Sequence, residues 1–408
     1  MMLSVTHVTF GSTGYVTFAV LLFLNSTILE AQDGVLCGVD VLQRDGFKQL
    51  AGQRVGLITN HTGLTRDGIS TVTLLHEAPD VELTTLFSPE HGFEGKLDIA
   101  KVGNATDAST GLRVLSLYGE TRRPTAEMLQ NVDVVVFDIQ DIGTRFYTYI
   151  STMGEAMHAC GEHHKRFVVL DRPNPINGVA VAGPMLDDGE ESFVGFHSLP
   201  IRHGMTTGEL ALMFQKERGL ELQLDVIRCE GWHRDMFFDA TGLVWTNPSP
   251  NMRCLTQALL YPGIGMVETS NISVGRGTDT PFEVVGAPWI QPRRLAAELN
   301  GRNIPGVAVV PIRFRPVSSK YADELCGGLN FIVTDRKQFE PLVLGFHLAS
   351  ALQSLYPNEW KGESSMRLLG HRSTLDAILS GQSVSEIQRI AESEIGDFQT
   401  RRRRFLLY

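Results

Sequence analysis

The 408-residue sequence lacks the signatures of several common enzyme classes. It has no GxGxxG or Walker phosphate loop, which argues against a nucleotide-dependent enzyme on a Rossmann-like half. It has no GxSxG motif, the nucleophile turn of α/β-hydrolases, and no HExxH zinc motif. No pair of its five scattered cysteines has metal-ligand spacing, and their odd number leaves at least one thiol free or paired between chains. The sequence therefore supports neither a cofactor nor a metal site.

Positive charge is scarce, and the formal net charge of -10 disfavours nucleic acid as a partner. No Lys or Arg precedes Arg44, yet residues 15–24 are almost wholly apolar and Ala31 offers a small residue for cleavage. This run is too short to span a bilayer comfortably, so we predict a signal peptide over residues 1–31 and an exported chain. The missing basic start leaves an uncleaved anchor or a misassigned start codon open. For the mature chain we expect no transmembrane helix.

Short apolar runs alternate with helical spacing in the first half of the chain. Strands are predicted at residues 54–59, 82–87, 113–117, 133–137 and 166–170, and helices at 70–78 and 148–160. This order is typical of an α/β fold with a doubly wound, mostly parallel sheet. We assign residues 32–180 to such a Rossmann-like domain, in which ligands bind beyond the carboxyl ends of the strands.

The pattern becomes mixed after residue 180. Helices are predicted at residues 207–218, 293–299, 338–354 and 384–398, and strands at 222–227, 307–313 and 329–333. We interpret residues 181–408 as a second, smaller α+β domain, with a cleft between the two domains. Residues 245–277 are rich in Pro, Gly and Asn, and we predict a long functional loop there.

Polar residues follow four of the predicted strands. Asn60, Glu90, Asp138 and Asp171 each lie at or just past a strand end, so they are expected to converge on one edge of the sheet. Glu90 lies in SPEHG, where proline and glycine favour a tight turn that presents its carboxylate. Burial would raise the pKa of such a carboxyl group and suit it to general acid catalysis. A helix cap or an ion pair is the alternative role for Glu90.

The segment FDIQDIGTRFYTY places acids, a guanidinium and phenols within a few residues of one another. If the strand continues, Asp138 and Gln140 point one way and Asp141 the other. Arg145 offers a bidentate fork for a substrate carboxylate, as in a sugar acid. The alternative is that Asp141 caps the next helix and Arg145 forms a structural pair.

Other candidates are spread over several loops. Glu268, on the long loop, could face Glu90 across the cleft or be a solvated acid. Thr206 and Glu209 have the spacing of a capping box, which favours a structural role for Glu209. The remaining candidate binding residues are His61, His91, Tyr147, Asn174, His203, Asn251, Asn271 and Arg276.

Several motifs resemble those of one family, the exo-acting β-N-acetylmuramidases of glycoside hydrolase family 171. They are GLITNHTG (56–63), SPEHGF (88–93), FDIQDIGTRFYTY (137–149), LDRPNPING (170–178), IRHGMTTGELA (201–211), WTNPSPNM (245–252), YPGIGMVETSNISVGRGTDTPFEVVGAPW (261–289) and FLLY (405–408). They run from about residue 36 to the C-terminus. Small departures, such as Glu94, Lys96 and Arg253, bear on fine specificity.

The resemblance implies release of terminal, non-reducing β-1,4-linked N-acetylmuramic acid from peptidoglycan fragments, in a cleft between a Rossmann-like domain and a smaller one. It implies that Glu90, the glutamate of the PEHG motif, is catalytic. We expect Asp138, Asp141 or the substrate's 2-acetamido group to stabilise the oxocarbenium-like state, and Arg145 or Arg276 to bind the lactyl carboxylate. A non-catalytic module that binds muropeptides is the alternative function.

Overall fold

The structure, a computed structural model, describes residues 34–97, 99 and 101–408. These residues contain two β-sheets. The strands, β1 to β10 in chain order, are Gln53–Thr59, Val81–Ser88, Ala105–Thr106, Arg113–Ser116, Val134–Asp138, Arg166–Leu170, Leu224–Ile227, Val284–Ala287, Val307–Phe314 and Cys326–Val333. The α-helices, α1 to α11, are Gly38–Arg44, Thr71–Glu77, Tyr149–Glu162, Thr207–Glu217, Leu255–Ile264, Pro292–Gly301, Pro341–Leu355, Met366–Leu369, Arg372–Leu379, Val384–Ala391 and Ile395–Arg402. The predicted signal peptide lies outside the described residues.

The first sheet has seven strands in the order β3-β4-β2-β1-β5-β6-β7. All neighbouring strands are parallel except β3 and β4, which are antiparallel. Every residue of β5 is buried, as expected for a central strand covered on both faces. The predicted α/β class, with a doubly wound and mostly parallel sheet, is confirmed.

The register of the sheet sets where the polar strand ends emerge. Thr59 of β1 pairs with Asp138 of β5, and Ser88 of β2 pairs with Ser116 of β4. The segments that follow these four strands therefore leave the same edge of the sheet. The candidate residues Asn60, Glu90, Asp138 and Asp171 were predicted to lie at this edge.

The second sheet is antiparallel, in the order β8-β10-β9. Its strands β9 and β10 were predicted, whereas β8 (VVGA) was not, because four residues with a glycine give little strand signal. Helix α7 begins at Pro341, where proline fits the first turn. It packs on α5 so closely that a Cβ on Gly263 would lie 1.8 Å from the Pro341 carbonyl oxygen.

Two predicted elements differ from the structure. The predicted loop 245–277 contains helix α5, whose sequence LTQALLYPGI ends in the proline and glycine that favoured a loop. The predicted helix 384–398 is two helices, α10 and α11, separated at residues 392–394. Strand β7 follows residue 180 yet completes the first sheet; the division of the chain at residue 180 stays a prediction.

Among the described residues, no helix is both long enough and apolar enough to cross a membrane.

Candidate active site

A cavity of about 1350 Å³ lies at the edge of the first sheet, where β2 and β4 end. Its lining combines residues that follow these two strands with residues around α3 and α5 and from later loops. They are Glu90, His91, Tyr118, Arg122, Phe146, Tyr147, Thr148, Tyr149, Gly189, Glu190, Glu191, Ser192, Phe193, Val194, Ser249, Met252, Tyr261, Glu268, Thr269, Arg276, Phe282, Ser318, Ser319, Lys320, Ser364, Arg367 and Leu368. The volume exceeds the roughly 300–1,000 Å³ of common ligand pockets, which leaves room for more than one sugar ring.

Glu90 is half-buried on the tight turn that follows β2. The Gly92 amide donates to the Pro89 carbonyl at 3.1 Å, and both His91 and Gly92 have positive φ, which fixes the turn. The Thr148 hydroxyl, at the start of α3, donates to Oε2 of Glu90. The Glu90 carboxylate is therefore held in one orientation toward the cavity.

Tyr118, the second residue after β4, faces the same carboxylate. Burial and the nearby Glu90 side chain together raise the pKa of Tyr118 to about 12. The phenol therefore stays protonated and can donate a hydrogen bond. Sequence reasoning missed Tyr118, although it follows the predicted strand 113–117 and the same strand-end rule would have found it.

Aromatic side chains form the floor of the cavity. Tyr147 packs edge-on against Tyr149 and Tyr261, with ring centroids 5.0 and 6.0 Å apart. Tyr261 packs against Phe282 at 4.6 Å. Burial is the main cause of the raised pKa of Tyr261, and both Glu90 and Glu268 raise it further. Glu90 and Glu268 thus lie close enough to one phenol to act on it together.

Glu268 also lines the cavity, as part of a charged group. Its Oε1 accepts from Nε of Arg276 at 2.5 Å, and its backbone carbonyl accepts from the Lys320 ammonium. The Arg276 guanidinium lies 5.3 Å from the ring centroid of Phe282. Burial lowers the pKa of Lys320, although the Glu268 charge opposes this shift. Glu268 therefore lines the cavity within an ion pair that the sequence did not predict, and its position across the cleft from Glu90 stays a prediction.

Two exposed arginines also line the cavity. The Arg122 guanidinium lies 4.2 Å from the ring centroid of Phe193 and 5.1 Å from that of Tyr118. Within the described ranges neither Arg122 nor Arg367 has a carboxylate partner within salt-bridge distance. These guanidinium groups are available to an anionic ligand.

Comparison with known proteins gives a consistent result. Two family models match, described as "Exo-beta-N-acetylmuramidase NamZ, N-terminal" over residues 55–256 and "Exo-beta-N-acetylmuramidase NamZ, C-terminal" over residues 259–408. The chain belongs to the NamZ family. The peptidoglycan beta-N-acetylmuramidase NamZ of Bacillus subtilis (strain 168) is 44% identical over 378 residues, which cover 92% of this chain and 91% of the relative.

Two solved structures resemble this chain closely. A DUF1343 family protein from Bacteroides fragilis NCTC 9343 matches with a TM-score of 0.85 and 38% identity, over 92% of this chain and 99% of that one. A second DUF1343 family protein from the same organism matches with a TM-score of 0.73 and 30% identity, over the same shares. The family suggested by the sequence motifs is confirmed.

Several predicted site residues lie away from this cavity of the NamZ fold. Asp138 is fully buried, and both of its carboxylate oxygens accept from Arg172, at 2.5 and 2.9 Å. The Thr71 hydroxyl donates to the same group. Asp138 therefore ties β5 to neighbouring loops and does not line the cavity, so the structure does not bring it to the proposed chemistry.

Asp141 is also buried outside the cavity lining. Its Oδ2 accepts from the Gly143 amide at 2.7 Å, and Nε2 of His203 lies 3.7 Å away. Burial raises the pKa of Asp141 to about 7 and lowers that of His203 to about 3. Gln140 donates to the Asp141 and Pro173 carbonyls and so holds the same loop. These residues fix the conformation of their loop, and none of them lines the cavity.

The predicted carboxylate clamp at Arg145 is not supported. The two terminal nitrogens of Arg145 donate to four backbone carbonyls, those of Pro184, Leu199, Leu368 and Leu369, at 2.7–3.0 Å. The side chain is buried, so its guanidinium joins three chain segments and is closed to a ligand. The prediction for Arg276 remains compatible with its position.

Asp171, Asn174 and Asn60 fill structural roles as well. Asp171 accepts from the Thr206 hydroxyl and the Gly208 amide, both at 2.7 Å, and burial raises its pKa to about 6. The hydrogen bonds of Asn174, Asn60 and Glu209 are also made to protein groups. Asn174 donates to the Met205 carbonyl at 3.0 Å, Asn60 accepts from the Thr62 amide at 2.9 Å, and Glu209 forms the predicted capping box with Thr206.

Three further candidates also lie outside the lining. A ring nitrogen of His61 is 2.6 Å from the Asn247 carbonyl oxygen, and burial lowers the pKa of His61. Asn271 donates to the Glu359 carbonyl at 2.8 Å, and Asn251 is buried. Among the described side chains of His, Cys, Asp and Glu, no group of three or more is arranged to hold a metal ion.

Proposed function

We propose that this chain is an exo-acting β-N-acetylmuramidase that removes terminal, non-reducing β-1,4-linked N-acetylmuramic acid from peptidoglycan fragments. Membership of the NamZ family and a relative named for this activity support the substrate. The observation that carries the proposal is Glu90, a half-buried carboxylate at the cavity wall that is oriented by Thr148.

Glu90 is the general acid in this mechanism. Among the described residues it has no cation within salt-bridge distance, so no ion pair competes with a ligand for its carboxyl group. Glycosidases protonate the departing glycosidic oxygen with such a carboxylic acid. Thr148 and Tyr118 keep the carboxyl group in place while the proton moves.

The second group in the mechanism is the substrate's own 2-acetamido group. Asp138 and Asp141 are buried outside the lining, and Glu268 is engaged by Arg276. An acetamido oxygen can assist the departure of the leaving group in glycosidases that lack a second free carboxylate. Replacing the acetamido by a trifluoroacetamido group should then slow turnover strongly. Unchanged turnover would assign the role to an enzyme carboxylate instead, with Glu268 as the first candidate.

The lactyl carboxylate of the substrate is bound by arginines of the cavity. Arg122 presents a guanidinium stacked on Phe193 beside Tyr118, and Arg276 lines the same cavity next to Glu268. A charge-assisted pair of this kind contributes about 2–3 kcal/mol, or roughly thirty-fold in preference or more. Arg122→Met and Arg276→Met should each reduce the preference for N-acetylmuramic acid over N-acetylglucosamine, whereas Arg389→Met, on exposed α10, should not. An unchanged preference in both cavity variants would contradict the clamp.

The central experiment is turnover of a chromogenic N-acetylmuramic acid glycoside by Glu90→Gln. Loss of the general acid should lower kcat by about 10²–10⁴-fold without unfolding the protein. Glu94→Gln is the matched control, because Glu94 is an exposed glutamate four residues away that pairs with Lys96 outside the cavity. If Glu90→Gln bound muropeptides in titration calorimetry and wild type never turned them over, the chain would be a binding module. Near-wild-type turnover by Glu90→Gln would remove Glu90 from the role.

Export of the chain fits this substrate, since peptidoglycan lies outside the cytoplasmic membrane. The apolar run at residues 15–24 and the small residue Ala31 support a cleaved signal peptide. N-terminal sequencing of protein isolated from cells should find a start near residue 32. An intact N-terminus on protein from the cytoplasmic fraction would contradict export.

A further inference from the structure

Two cysteines far apart in the sequence lie beside each other where the described chain begins. Leu36 and Glu230 form an isolated antiparallel bridge. The Leu36 amide donates to the Glu230 carbonyl at 3.0 Å, and the Glu230 amide donates back at 2.9 Å. This reciprocal pair fixes the register between the stretch before α1 and the stretch after β7.

The register places Cys37 directly opposite Cys229, one step along the bridge. Residues that follow a hydrogen-bonded antiparallel pair form a non-hydrogen-bonded pair, with Cα atoms about 4.5 Å apart and side chains on the same face. Cys37 has the extended backbone this requires, with φ -75° and ψ 166°. The Cys229 amide donates to the Tyr408 hydroxyl at 2.8 Å instead of across the bridge. A separation of about 4.5 Å lies within the range of about 4.4–6.8 Å that disulfides span.

The two thiols contact each other in a buried place. Cys37 and Cys229 are 1% and 5% exposed. Burial and a hydrogen bond with Cys37 raise the pKa of Cys229 well above its ordinary value, and Cys229 Sγ also lies 3.2 Å from the Asp171 carbonyl oxygen. Cys254 and Cys326 differ, because their sulfur atoms contact Glu283 Oε1 and the Glu324 carbonyl oxygen.

We propose that Cys37 and Cys229 form a disulfide when the chain folds in an oxidising compartment. Two S–H bonds break and one S–S bond forms, and two protons and two electrons pass to a disulfide oxidant such as oxidised glutathione, which becomes two thiols. The reaction takes place during folding, before burial closes the thiols to the oxidant. The pairing is independent of the muramidase activity, and only its formation in cells depends on the proposed export.

The disulfide would join the stretch before α1 to the end of β7. The two positions are 192 residues apart (229 minus 37), so the bond would close a long loop and restrict the unfolded chain strongly. It would fasten the first described residues to the edge of the seven-stranded sheet. The cysteines would then contribute to stability and not to the chemistry of the cavity.

Counting free thiols in the full chain tests the proposal. The protein is refolded in a mixture of reduced and oxidised glutathione, denatured in excess iodoacetamide without reductant, and weighed intact. Three of the five cysteines should be alkylated (five minus two), and peptide mapping should recover Cys37 linked to Cys229. Alkylation of all five, or a different linked pair, would overturn the proposal.

Single-cysteine variants provide matched controls. Cys37→Ala should leave four alkylated cysteines (five minus one), whereas Cys254→Ala should leave two (five minus three). Reductant should lower the Tm of the oxidised wild type and of Cys254→Ala by roughly 5 °C and leave that of Cys37→Ala unchanged. If a variant fails to fold, the wild-type thiol count decides. A disulfide formed in vitro but absent from protein isolated from cells would support the pair and contradict export.

Discussion

The two halves of the first sheet end in polar residues with opposite surroundings. On one side, Glu90 and Tyr118 follow β2 and β4 and line an open cavity. On the other side, Asp138 ends β5 and Asp171 follows β6, and both are fully buried among protein donors. A carboxylate at the end of a parallel strand is therefore a sign of a site only where later segments leave it uncovered.

What covers the second half comes from distant parts of the chain. Thr71 of α2 and Arg172 engage Asp138, while the start of α4 and the Tyr408 hydroxyl engage Asp171, the hydroxyl at 2.7 Å. These contacts link the C-terminal residue to the sheet edge. The comparison predicts a clean separation, in which changes on the open half affect turnover and changes on the covered half affect stability.

The largest effect on the covered half is expected from Asp138→Asn. The change leaves the Arg172 guanidinium buried and without its counter-charge, which should lower the free energy of unfolding by about 3–5 kcal/mol. Asp133→Asn is the matched control, because Asp133 precedes the same strand and pairs with Arg54 at 36% and 41% side-chain exposure. Loss of this exposed pair should cost about 0–1 kcal/mol. Urea unfolding of both variants measures the difference, and equal losses would contradict the comparison.

Thr148→Val should give a smaller effect, and on the open half. The variant removes the hydroxyl that donates to Glu90, and an ordinary hydrogen bond contributes about 0.5–1.5 kcal/mol. We therefore expect kcat/KM to fall by roughly 2- to 10-fold with little change in Tm. Thr152→Val, one turn later in α3, is the control, since its hydroxyl lies 3.4 Å from the Thr148 carbonyl oxygen and does not contact Glu90. A large loss of stability with unchanged kcat/KM in Thr148→Val would place Thr148 with the covered group.

The open half was the more predictable of the two. The strand pattern and the PEHG turn located Glu90 at a sheet edge, and the Gly- and Asn-rich stretch pointed to Glu268, which lines the same cavity. Lys320 was not predictable, because its contact with Glu268 joins residues 52 positions apart. The structural role of Arg145 was not predictable for the same reason, because its carbonyl partners Leu368 and Leu369 lie more than 200 residues away in the sequence. Local patterns show where a strand ends, but not which distant segment covers that end.

The last expected effect is limited to neutral and higher pH and concerns Asp141 on the covered half. Its pKa is about 7 in the folded protein, above the ordinary value of 3.8, because burial penalises the charged form. A raised carboxyl pKa means that the folded state holds its proton more tightly than the unfolded state. The contribution of Asp141 is therefore most favourable at low pH and becomes less favourable as the pH rises from about 4 to about 7.

Asp141→Asn should remove this dependence, because the amide is always neutral and can still accept from the Gly143 amide. Relative to wild type, the variant should be more stable by up to about 4 kcal/mol at pH 8, since each unit of a pKa shift corresponds to about 1.4 kcal/mol, and nearly equal at pH 4. Urea unfolding at the two pH values measures the change, and Asp133→Asn provides a control with the opposite sign. The pKa of Asp133 is lowered to about 2 by Arg54, so its loss should cost stability at pH 8 and nothing near pH 2. If Asp141→Asn instead lost turnover at unchanged stability, Asp141 would face the substrate, and the division of the sheet edge into an open and a covered half would fail at that residue.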